Sequence, residues 1–103
     1  MNIVTNEGEN KNTLGLFGRL DTTTAPTLQK ELMAQIDTGV DVDLDFKELK
    51  YVSSAGLRVL LMGEKAAKSK DIIMKLINVS EEIMEVFEMT GFANVLRIEG
   101  NTG

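Results

Sequence analysis

The chain has 103 residues, a net charge of −5 from 16 acidic and 11 basic residues, and neither cysteine nor histidine. This length predicts one domain, residues 1–103, with one hydrophobic core, and the acidic balance argues against non-specific binding to nucleic acid or anionic lipid. Because the commonest general base, the commonest metal ligand and all thiol chemistry are missing, we expect no enzyme activity, no catalytic residue, no metal and no cofactor.

Two short strands are expected first, near residues 2–6 and 12–18, separated by a polar turn. In the second strand, Leu14 and Leu16 alternate with Gly15 and Phe17, a pattern that predicts a strand covered on both faces. A helix should follow, with Thr23 or Thr24 as its cap. Three apolar residues spaced four apart predict its buried stripe: Leu28, Leu32 and Ile36.

The next strand, 41–46, alternates strictly between aspartate and apolar residues. Val42, Leu44 and Phe46 are predicted to face the core, so the three aspartates should face the other way. One face of the sheet is therefore expected to be open to water near this strand. The aspartate row lacks the glycine turn and distal glutamate of a calcium loop and is interpreted as a solvated face.

The second half of the chain predicts a helix after Ser54, a strand over 72–77, a helix capped by Ser80 and ended by Gly91, and a short strand over 95–98. The complete order is β-β-α-β-α-β-α-β. This order indicates the α/β class, with a mixed sheet, right-handed parallel crossovers and helices mainly on one face.

Two polar loops, 21–24 and 51–54, follow strands of the predicted sheet and should meet at its carboxyl edge. A serine at a helix start caps backbone N–H groups in many proteins, and it can also carry a phosphate there, because the helix dipole favours an anion. From these residues alone Ser53 and Ser54 remain either caps or phosphate acceptors. Asp21 remains either a turn residue or a partner contact.

Three segments carry a family resemblance: Gly18-Arg19-Leu20-Asp21, Phe46 through Leu57, and residues 79–92. In this order and spacing the chain resembles the STAS domain over nearly its whole length. It is most similar to the stand-alone anti-anti-sigma factors, which antagonise anti-sigma kinases.

The resemblance implies a partner switch. The unmodified domain would bind an anti-sigma factor that is also a serine kinase, and so release a sigma factor. Phosphorylation would end this binding, and a separate phosphatase would restore it. The family's phosphorylated serine stands two residues before a glycine, which is Gly56 here, so the acceptor is Ser54. Ser53 stands where relatives often have aspartate and is the second candidate acceptor.

The predicted partner-binding residues lie on the two loops and on the helix that follows the second loop. They are Asp21, Thr22, Thr23, Ser53, Ser54, Ala55, Gly56, Leu57 and Arg58. Arg58 stands four residues beyond Ser54 and could reach back to a phosphate, although the preferred interpretation is a solvated surface arginine. We also expect a cytoplasmic protein, monomeric when free, without membrane insertion or direct nucleic-acid contact.

Two alternatives remain from the sequence. The resemblance also extends to STAS-type structural or regulatory subunits of lipid or anion transport complexes. An enzyme or small-ligand binder built on Asp21 and Ser54 is disfavoured, because a serine nucleophile needs a base and the chain has no histidine.

Overall fold

Five strands form one mixed sheet in which neighbours in sequence are also neighbours in space. The computed structural model describes residues 1–100. The first two strands pair antiparallel and all other pairs are parallel, so the predicted element order and mixed sheet are confirmed. The elements are β1 Asn2–Glu7, β2 Lys11–Leu20, α1 Ala25–Ile36, β3 Asp41–Val52, α2 Ser54–Ser69, β4 Met74–Val79, α3 Glu81–Thr90, a 3-10 turn Phe92–Asn94 and β5 Arg97–Gly100.

The three helices lie on one face of the sheet, as predicted. Each parallel crossover moves one strand further in the same direction, and right-handed crossovers then place their helices on the same side. The apolar residues of that side form a single core with those of the helices. Among residues 1–100, no helix has both the length and the apolar character needed to cross a bilayer.

Local sequence patterns predicted most of the helix boundaries that the structure shows. The predicted stripe of α1 is fully buried. Ser80 caps α3, because its hydroxyl oxygen accepts a hydrogen bond of 3.2 Å from the Ile83 N–H. Gly91 ends the same helix with φ of 81°, a left-handed conformation that glycine adopts without a Cβ clash.

The sheet face without helices differs from the prediction in two places. Phe17 is 40% exposed while Leu14 and Leu16 are buried, so β2 is covered on one face and not on both. Asp43 is only 6% exposed and does not belong to a solvated row. The reason is Lys11, whose Nζ lies 2.8 Å from Asp43 Oδ2 and covers that carboxylate; this hydrogen bond raises the pKa of Lys11.

The last two strands begin later than predicted. β4 starts at Met74 instead of residue 72, because Asp71 takes a positive φ of 60° and the Ile72 N–H still bonds to the Ala67 carbonyl. The backbone at Ile72 therefore still belongs to the turn that ends α2. β5 starts at Arg97, because the N–H groups of Val95 and Leu96 both donate to the Phe92 carbonyl in the preceding turn.

Two glycines allow α2 to lie close to its neighbours. A Cβ on Gly56 would stand 2.5 Å from Leu20 Cγ and 3.3 Å from the Leu20 carbonyl oxygen, at the end of β2. A Cβ on Gly63 would stand 2.5 Å from Leu32 Cδ2 and 2.9 Å from Met74 Sδ. The atoms near Gly63 are ends of flexible side chains, whereas those near Gly56 include a branch point and backbone.

We predict that Gly56→Ala lowers the free energy of unfolding by about 1–3 kcal/mol, because the added methyl overpacks a site that cannot relax. Gly63→Ala should stay within about 1 kcal/mol of the wild type, since the higher helix propensity of alanine offsets a clash that side-chain rotation relieves. Urea denaturation measures both, with the exposed Lys65→Ala as a control. A larger loss for Gly63→Ala than for Gly56→Ala would contradict this packing account.

Candidate functional site

The segments 21–24 and 51–54 meet at the carboxyl edge of the sheet, but the second is not the loop that was predicted: β3 continues to Val52 instead of ending near residue 46, and α2 begins at Ser54, so only Ser53 lies between them. A backbone hydrogen bond joins the two segments. The Ser53 N–H donates to the Leu20 carbonyl oxygen at 2.8 Å, directly after the last pair of β2 and β3. Asp21 is the next residue after Leu20, and Ser54 is the next after Ser53. The parallel pairing therefore brings Asp21 and Ser54 to the same edge of the sheet, although 33 positions separate them in the sequence.

The Asp21 carboxylate organises the first loop. Its Oδ1 accepts hydrogen bonds from the Thr23 hydroxyl at 2.7 Å, the Thr23 N–H at 3.0 Å and the Thr24 N–H at 3.1 Å. Chiefly the Thr23 hydroxyl, together with these backbone donors, holds the pKa of Asp21 below its ordinary value. The first loop therefore keeps a negative charge at neutral pH, at the same edge of the sheet as Ser54.

Thr24 completes this loop in a way the sequence interpretation missed. It occupies the N-cap position of α1, but its side chain makes no capping hydrogen bond. Its hydroxyl instead donates to the Arg19 carbonyl at 2.8 Å and accepts from the Asp21 N–H at 2.8 Å. The spacing of an aspartate and a threonine three residues later was the available signal, because such pairs close tight turns with side-chain hydrogen bonds.

The two serines of the second loop have different roles in the structure. Ser53 is the N-cap of α2, and its Oγ accepts a hydrogen bond of 3.3 Å from the Gly56 N–H. Ser54 is the first residue of α2, is exposed, and does not serve as the cap. Its hydroxyl is thus accessible at a helix N-terminus, where a negative group is stabilised by the dipole and the free N–H donors.

The other predicted partner contacts divide by exposure. Thr22, Thr23 and Arg58 are exposed and Ala55 is partly buried. Gly56 and Leu57 are buried against the core, because they begin the apolar face of α2. These two residues position the turn at Ser53 and Ser54 and are not available on its surface, so we propose direct partner contact only for the exposed residues of the predicted set.

The chain is similar to a known protein family and to proteins of related function in bacteria. The family described as "Mlab, STAS domain" matches residues 3–98. The anti-sigma-B factor antagonist of Bacillus subtilis is 28% identical over 99% of this chain and 94% of its own length. The protein named "Putative anti-sigma factor antagonist BtrV" of Bordetella bronchiseptica is 37% identical over 81% of this chain and 72% of its own length.

The structures of the Bacillus anti-sigma factor antagonist SpoIIAA share the fold. Its unphosphorylated form matches 98% of this chain and 90% of its own with a TM-score of 0.75, at 18% identity. Its phosphorylated form matches 95% of this chain and 91% of its own with a TM-score of 0.73, also at 18% identity. Together, the family match and these relatives show that the chain belongs to the STAS domain family and, within it, to the anti-sigma factor antagonists.

Proposed function

We propose that the chain is a phosphorylation-controlled antagonist of an anti-sigma factor that is also a serine kinase. In its unmodified state it binds this kinase and so releases a sigma factor. The kinase transfers the γ-phosphoryl group of ATP to Ser54 Oγ: the new P–O bond forms as the bond from the γ-phosphorus to the β–γ bridging oxygen breaks, ADP leaves, and the hydroxyl proton passes to a base of the kinase. A phosphatase later hydrolyses the phosphoserine and restores binding.

The observation that carries this proposal is the division of roles between the two serines. Ser53 uses its hydroxyl as a helix cap, whereas Ser54 presents its hydroxyl to solvent one residue later. A kinase can reach Ser54 without unfolding the helix start. A kinase acting on Ser53 would have to reach a part-buried hydroxyl that is engaged with the Gly56 N–H, so Ser54 is the more accessible acceptor.

Electrostatics explains how one phosphate would end binding. The phosphoryl group adds a charge of about −1.5 to −2 at neutral pH. It would stand beside Asp21, whose carboxylate stays ionised within its hydrogen-bonded loop. A partner surface shaped for a neutral hydroxyl would then meet a doubly negative group next to an existing carboxylate, with repulsion and an added desolvation cost.

The same phosphate should leave the fold in place. It would stand at the N-terminus of α2, where the helix dipole stabilises an anion by about 0.3–1 kcal/mol. SpoIIAA has the fold of this chain in both its unphosphorylated and its phosphorylated form, which supports a modification that leaves the scaffold folded. The switch is therefore expected to act through local charge.

We predict that phosphorylation of Ser54 weakens binding to the anti-sigma factor at least about 100-fold, which corresponds to about 3 kcal/mol. The experiment purifies each anti-sigma factor of the source bacterium and titrates it calorimetrically with the unmodified chain and with the chain carrying phosphoserine at position 54. The matched control carries phosphoserine at position 69, the exposed last residue of α2, where an equal charge lies at the other end of the helix.

The control should bind within about threefold of the unmodified chain, because its charge is far from the proposed interface. Ser54→Ala should also bind, since the partner recognises an uncharged site. If the chain phosphorylated at Ser54 binds as tightly as the unmodified chain, or if no anti-sigma factor binds the unmodified chain, the proposed function is wrong.

We also predict that substitutions of the two serines differ in their effect on the free energy of unfolding. Ser53→Ala should lower the free energy of unfolding by about 1 kcal/mol, because it removes the cap of α2. Ser54→Ala should change it by less than about 0.5 kcal/mol, as an exposed substitution outside the capping contact. Urea denaturation compares both with the wild type and with the phosphorylated chain. A phosphorylated chain less stable than Ser53→Ala would show that the phosphate disrupts the helix.

A further inference from the structure

Two β-bulges lie in the half of β3 that leads to Ser53 and Ser54. Between Gly15 and Phe17 of β2, the partner on β3 moves by three residues instead of two, and between Gly18 and Arg19 it moves from Leu49 to Tyr51. Buried residues of β3 consequently recur at every third position: Phe46, Leu49 and Val52. Bulges re-aim side chains and are over-represented beside functional sites.

The second bulge brings Tyr51 next to Arg19. The two residues are register partners, and the Arg19 guanidinium carbon lies 4.3 Å from the centre of the Tyr51 ring. Tyr51 is 41% exposed, although it stands between Leu49 and Val52, which are buried. The stacked ring restricts the orientation of the guanidinium while leaving its outer edge in solvent.

The donors of this guanidinium are not consumed by its nearest carboxylate. Arg19 Nε is 3.9 Å from Asp21 Oδ2, which is beyond hydrogen-bond distance. The other oxygen of Asp21 already accepts from Thr23 and Thr24. Arg19 is therefore a planar group of hydrogen-bond donors, held by Tyr51 and ready for an external acceptor.

We propose that Arg19 and Tyr51 form a second contact region of the partner interface, which recognises a carboxylate side chain on the anti-sigma factor. This inference rests on the proposed function and adds to it the chemical group of the partner that this chain recognises. A guanidinium binds a carboxylate through two parallel hydrogen bonds, and arginine and tyrosine are the residues most often found at energetic hot spots of interfaces.

The position and the local charge favour this assignment. Tyr51 precedes Ser54 by three residues, about 10 Å of extended chain, so an ordinary interface of about 800 Å² per partner covers both. Within four residues of Ser54 or Asp21 along the chain there are three cations, Arg19, Lys50 and Arg58, and one carboxylate, Asp21. The edge of the sheet around Ser54 and Asp21 thus carries more cations than carboxylates, although the chain is acidic overall. Its charge complements an acidic patch on the partner.

The test measures the affinity of the anti-sigma factor for single variants of the chain. Arg19→Ala should bind about tenfold more weakly or worse, and Arg19→Lys at least about fivefold more weakly because lysine cannot form the paired hydrogen bonds. Tyr51→Phe should bind like the wild type, since it keeps the ring, whereas Tyr51→Ala should bind at least about fivefold more weakly. Lys47→Ala is the matched control: it removes an exposed cation of β3 that lies outside this edge, and its affinity should change less than about twofold.

The outcome for this pair is independent of the outcome for Ser54. If phosphorylation of Ser54 blocks binding while Arg19→Ala binds like the wild type, the second contact region is refuted and the switch stands. If Arg19→Ala and Lys47→Ala lose affinity equally, non-specific charge attraction explains the effect, and the assignment to the stacked pair is overturned.

A probe that does not depend on the partner tests the same chemistry when no anti-sigma factor binds. The uniformly 15N-labelled chain is titrated with the peptide acetyl-Glu-Asp-Glu-Asp-amide, and the Arg side-chain Nε–H resonances are followed by NMR. The Arg19 resonance should move with saturation and should move more than that of Arg58, and Tyr51→Ala should remove the difference. Equal or absent shifts overturn the proposal. A shift with inorganic phosphate but not with the peptide also overturns it, because it assigns the pair to phosphate binding.

Discussion

The hydrogen bond from the Ser53 N–H to the Leu20 carbonyl oxygen is the contact on which the site depends. It extends the parallel pairing of β2 and β3 one step past the last strand residues and fixes the two loops against each other. The crowded approach of Gly56 to Leu20 supports the same junction from the helix side. A loop carboxylate and a helix-start hydroxyl, which come from distant parts of the chain, are thereby held at one rigid edge of the sheet.

Within that junction some residues hold the backbone in place and others are exposed to solvent. Ser53 satisfies a backbone N–H, Asp21 and Thr24 close the first loop, and Gly56 and Leu57 lie in the core. Ser54, Thr22 and Thr23 are left on the surface, with Arg19 and Tyr51 stacked on the sheet side. In the proposed switch, a charge placed on Ser54 would act on a partner while the scaffold stays unchanged.

The element order, the helix stripe of α1, the cap at Ser80 and the stop at Gly91 could be predicted because each depends on residues close in sequence. The proximity of segments 21–24 and 51–54 could also be predicted, because neighbouring parallel strands end at the same edge of a sheet. The burial of Asp43, the exposure of Phe17 and the two bulges of β3 could not, because each is decided by cross-strand neighbours. The sequence pattern 46–52 does hold a trace of the bulges, since its apolar residues recur every third position and not every second.

The most direct test of the central claim is to map the phosphate by mass spectrometry after incubating the chain with its anti-sigma kinase and ATP. The account predicts one phosphate per chain, located on Ser54, and full phosphorylation of Ser53→Ala at the same residue. Ser54→Ala should remain unmodified. A phosphate found on Ser53, or on a threonine of the 21–24 loop, in the wild-type chain would contradict the division of roles on which the account rests.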